Sequence, residues 1–114
     1  MKDKGKAQSK SDAALTSDTL WLVDKLFKPQ HRIDAARMLE KQCSRNLPFC
    51  ENAKPAELER LHFAALKVSR GDLKRLSHAI HEAQMDWRDL LMAADFGLTV
   101  NAHREWLDEL RSDK

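Results

Sequence analysis

Apolar residues recur at intervals of three and four along most of this 114-residue chain, the spacing of one face of an α-helix. Glycine and proline break the pattern. Beyond Gly5 they stand at Pro29, Pro48, Pro55, Gly71 and Gly97, each where a hydrophobic stripe stops or starts. The segments between them are rich in Leu, Ala, Glu, Lys, Arg and Gln, which favour helix. Ile, Val and Thr total eight and Tyr is absent, so strand candidates are scarce. The chain reads as all-α, with about six helices and no sheet.

The first predicted helix covers 19–28, with Ser17 or Asp18 as N-cap and Pro29 ending it. Leu20, Trp21, Leu22, Val23, Leu26 and Phe27 surround it with apolar surface, so it must pack on two sides or meet a partner. The second covers 30–44, with Ile33, Ala36, Leu39 and Cys43 on one stripe. The third opens at Pro55, a favoured first helical position, and runs to Arg70, with Gly71 as its C-cap glycine. It is apolar nearly all round and should be the central helix. Asp72 caps the fourth, whose stripe is Leu73, Leu76, Ile80 and Ala83. The fifth starts near Asp86 and faces inward with Trp87, Leu90, Leu91 and Ala94. The sixth starts near Thr99 or Asn101 and buries His103, Trp106, Leu107 and Leu110. Links of two to five residues, except over 45–54, imply antiparallel neighbours in an irregular helical bundle or a HEAT/armadillo-like α–α superhelix. The pairs Ala35-Ala36, Ala64-Ala65 and Ala93-Ala94 recur every 29 residues, a faint sign of repetition.

Charge is unevenly placed. The formal net charge is +2, yet Lys2, Lys4, Lys6 and Lys10 against Asp3 leave the rest of the chain at −1. Residues 1–12 read as a disordered basic tail and 13–114 as a single helical domain. A body near neutrality argues against a nucleic-acid surface. No apolar run approaches membrane-spanning length, and two cysteines cannot build a disulfide scaffold, which points to a reduced cytoplasmic setting.

Candidate chemistry is sparse. His78 and His81 share a helical face beside Glu82, but Met85 stands where a zincin pattern needs histidine. Cys43 and Cys50 lack the spacing of zinc or redox motifs. No glycine-rich phosphate loop exists, and no serine sits in a nucleophile elbow. Asp86 and Asp89 suit a helix start. The chain is expected to be non-enzymatic, with no cofactor and no metal. Lys67, Arg70, Lys74 and Arg75 cluster around the predicted third turn; the last two sit in a helix's first turn, where positive charge is mildly unfavourable.

The stretch Glu59-Arg60-Leu61-His62-Phe63-Ala64-Ala65-Leu66-Lys67, then Gly71-Asp72-Leu73, then Asp86-Trp87-Arg88-Asp89-Leu90-Leu91 to Phe96-Gly97, resembles a family of small bacterial, mainly proteobacterial, proteins. The resemblance spans 34–106 and implies an armadillo- or HEAT-like helical fold. It implies no activity, cofactor or catalytic residue. Read from its residues, Asp86 caps, Trp87, Leu90 and Leu91 pack, and Arg88 pairs with a carboxylate of a neighbouring helix.

The sequence therefore favours a helical module that binds another protein or self-associates. Its candidate contact residues are Trp21, Lys67, Arg70, Lys74 and Arg75. The alternative is a nucleic-acid-binding accessory protein using the basic tail and the Lys67–Arg75 turn.

Overall fold

The computed structural model describes residues 15–48 and 50–112; the basic segment over 1–12 and its boundary with the domain lie outside them. The described residues form six helices and no strand: α1 (Ser17–Leu26), α2 (Pro29–Gln42), α3 (Pro55–Ser69), α4 (Leu73–Met85), α5 (Trp87–Ala93) and α6 (Ala102–Ser112). Helix α3 touches α1, α4, α5 and α6, while α2 closes against α1 and α4. The result is an irregular bundle around one central helix. That centrality follows from composition, because Leu58, Leu61, Phe63, Ala64, Ala65 and Leu66 leave α3 with little polar surface to offer water.

The helix ends are set by local chemistry. Asp72 accepts from Lys74 N–H at 2.9 Å and Asp86 from Arg88 N–H at 3.0 Å, as expected of N-caps. The expected cap of α1 shifts: Thr16, not Ser17 or Asp18, accepts from Thr19 N–H. Helix α2 begins at Pro29, whose ring presets the helical φ, and it ends at Gln42 before Ser44. Its buried positions are Ala35, Leu39 and Cys43, while Ile33, expected inside, is exposed. Helix α3 stops through two successive left-handed residues, Arg70 (φ 52) and Gly71 (φ 80). A Cβ on Gly71 would lie 2.2 Å from the Leu26 carbonyl oxygen, so glycine also lets α1 approach this turn. Between α5 and α6 the chain runs without helix over 94–101, longer than the expected short link.

Charged groups fasten α6 to the rest. Arg104 reaches Asp18 at 2.9 Å and Glu59 at 3.1 Å, and Arg111 reaches Asp18 at 2.6 Å. Behind them Phe63, Phe96, His103 and Trp106 meet largely edge to face, with centroids 5.3–6.3 Å apart.

Candidate functional site

The basic residues singled out in the sequence divide into separate roles. Lys67 donates to the Ala94 carbonyl at 2.9 Å and lies 5.0 Å from the centre of the Phe96 ring. It therefore serves the end of α5, where carbonyls lack helical partners. Arg70 is exposed at the left-handed end of α3. Arg75 lies 3.8 Å from the Asp72 carboxylate, a surface pair. Lys74 is exposed and its side chain has no polar partner among the described residues. Lys67, Arg70 and Arg75 line one cleft of about 420 Å³ with Val68, Ala93 and Asp95; Lys74 stands outside it. Asp95, at a left-handed φ of 64, makes no ion pair with these cations among the described residues.

Trp21 is placed differently from the basic cluster. It is half-buried on α1 with the Arg111 guanidinium 5.1 Å from its ring. Leu22 and Val23 are buried, α2 and α3 flank the helix, and Leu20 is its one exposed large apolar residue. The apolar surface of α1 is thus met mainly from inside the molecule.

A second region, read from sequence as a packing block, was not among the candidate contact residues. Trp87 opens α5 and forms a wall shared by two clefts. One, of about 310 Å³, is lined with Pro48, Met85, Asp86 and Arg88; the other, of about 230 Å³, with Cys50, Arg60, Leu61 and Leu91 among others. Arg60 crosses beneath the second cleft and donates to the carbonyls of Phe96 and Thr99. Its Nε is buried without a hydrogen-bond partner among the described residues. Arg88 does not reach a neighbouring helix, as expected from sequence, but returns to Asp86 through two bonds of 3.1 Å. Those bonds hold the Asp86 carboxyl below its usual range. Short range explains the outcome, because the cap already places the carboxylate beside Arg88. The signal available in sequence was that Met85, Met92, Leu98 and Val100 fit none of the buried stripes.

The remaining chemistry is internal. His62 Nε2 lies 3.1 Å from Ser44 Oγ, and both residues are buried. Ser44 donates its proton to the Leu39 carbonyl at 2.9 Å, so it accepts from the imidazole and is not poised as a nucleophile. Burial pushes the Cys43 thiol up to about 12, which keeps it protonated and inert. His78 pairs with Glu82 at 3.5 Å on an exposed face, and His81 is also exposed. Among the described residues no group of three or more His, Cys, Asp or Glu is placed to hold a metal ion. No helix among them is long and apolar enough to cross a membrane. No protein-family model, curated protein or solved structure matches this chain.

Proposed function

We propose that this chain is a non-enzymatic helical module that binds another protein through α5 and the turns flanking it. The observation that carries this reading is the placement of exposed apolar side chains. Of six large ones among the described residues, four lie here: Met85 (75% exposed), Met92 (58%), Leu98 (90%) and Val100 (70%). Half-buried Trp87 follows Met85 closely in the chain and lines two clefts, one of them shared with Met85. Exposed apolar groups concentrated in one segment, 85–100, point to an interaction site, and Met and Trp are favoured anchors. The resemblance to small bacterial helical proteins brings no activity, so the reading rests on this surface. Two free buried thiols are in keeping with a reducing cytoplasmic setting.

The test is an affinity capture from native cells with the wild-type chain and a Met85→Glu/Met92→Glu/Leu98→Glu variant. Proteins held by the wild type should be lost from the variant, while circular dichroism shows the fold retained. Light scattering on the same pair reports self-association. An identical captured set and identical mass for both chains would overturn the proposal.

A further inference from the structure

The basic cleft is a separate surface from the one just described, and its chemistry selects a different occupant. We propose that it docks an acidic segment of a partner polypeptide. Three cations, Lys67, Arg70 and Arg75, line it against one carboxylate, Asp95, and exposed Lys74 stands nearby. Val68 and Ala93 supply a small apolar floor on which the methylenes of a glutamate can rest.

The exposed pair of Arg75 with Asp72 contributes little, and helix stability does not otherwise account for Arg75. In α3 the residue at the third helical position is Glu57, whose carboxylate reaches back to accept the Lys54 N–H at 2.8 Å. In α4 the equivalent position behind Asp72 is Arg75, and the first turn holds no acidic residue at all. Glutamate there would complete the cap and suit the helix dipole, so the chain keeps a cation where its own fold prefers an anion. Departures of this kind concentrate where a surface meets a ligand.

The lining separates a polypeptide from a nucleic acid. No aromatic side chain lines the cleft to stack on a base. Asp95 would repel a phosphodiester chain, whereas a peptide N–H can donate to it. The chain beyond residue 10 carries −1, a poor match to a polyanionic strand.

The experiment is fluorescence anisotropy at low salt with a labelled Glu/Ser peptide. A Lys/Ser peptide, single-stranded and duplex oligonucleotides and inorganic phosphate serve as the other arms. The Glu/Ser peptide should bind most tightly and weaken as salt rises. Arg75→Glu should melt at the same temperature as wild type or higher, yet bind at least about tenfold more weakly. Arg70→Asn keeps a residue that tolerates the left-handed turn and should lose about threefold. Lys25→Gln/Lys28→Gln, exposed in the last turn of α1 and just beyond its end, should bind as wild type does. The proposal is overturned by no peptide binding at low salt, by tighter binding of an oligonucleotide, or by wild-type affinity in Arg75→Glu. Equal losses in the α1 variant would overturn it too, because net charge alone would then explain the binding.

Discussion

Acidification from pH 7 to pH 5 should destabilise this protein steeply, and His62 should account for most of the slope. The imidazole is buried on α3, bonded to Ser44, and burial pushes it down to about 4 from 6.5; the Cys43 backbone opposes this only in part. Above pH 6.5 the ring is neutral whether the chain is folded or not. Between 6.5 and about 4 the unfolded chain takes up a proton that the folded one refuses, so stability falls as pH falls. The full interval corresponds to about 3 kcal/mol, of which about 2 kcal/mol is lost between pH 7 and pH 5. Against the ~5–15 kcal/mol of a typical domain that is a large share. Urea unfolding followed by circular dichroism at pH 7, 6 and 5, at constant ionic strength, reads it directly. His62→Gln keeps a donor for Ser44 and removes the titration; it should be less stable at pH 7 but much flatter with pH. The slope that remains belongs to His103, which burial also lowers. Equal slopes in the two chains, or a His62 ring signal titrating near pH 6.5 in the folded protein, would refute the reasoning.

Two further outcomes follow from the fold. Gly71→Ala should cost more than about 2 kcal/mol in chemical denaturation, since a left-handed alanine and a clash with the Leu26 carbonyl add together; a loss of about 1 kcal/mol or less, the cost of the dihedral alone, would mean α1 does not rest on this turn. Asp18→Asn weakens the bonds to Arg104 and Arg111 and should cost about 1 kcal/mol at low salt, less at high salt. Those arginines hold the Asp18 carboxyl below its usual range, so this contribution should be present at neutral pH and fade as pH falls below about 4; a salt-independent loss would argue for packing instead.

The caps at Asp72 and Asp86 were legible because an Asp accepting from two residues on is a local event. Pro29 was read as the end of one helix, and it is equally the start of the next, since its fixed φ suits a first helical residue. Ile33 was assigned inward on hydrophobicity alone. The side of α2 that closes on α1 and α4 carries the expected Leu39 and Cys43 together with Ala35, which lies about 160° around the helix from Ile33. Only the neighbours decide which stripe is buried. The basic cluster was visible because its members are close in sequence. Its division was not, because Ala94 and Phe96, which occupy Lys67, and Asp95, which faces Arg70 and Arg75 across the cleft, come from α5 and the turn after it.

Trp21 and Trp87 mark the same boundary in its sharpest form. Trp21 stands in the middle of α1 and Trp87 opens α5, both helices are rich in leucine, and each tryptophan is half-buried in the fold. Trp21 is roofed by Arg111, a residue 90 positions away, whose charge is in turn fixed by Asp18 beside the tryptophan. Trp87 receives no such cover: its neighbour Arg88 is turned back on Asp86 by the helix cap. One arginine closes an apolar surface and the other leaves one open. Residue type predicts neither result, because both depend on which carboxylate lies within reach once the helices are packed. That is why the partner-facing tryptophan was sought on α1 and is proposed on α5.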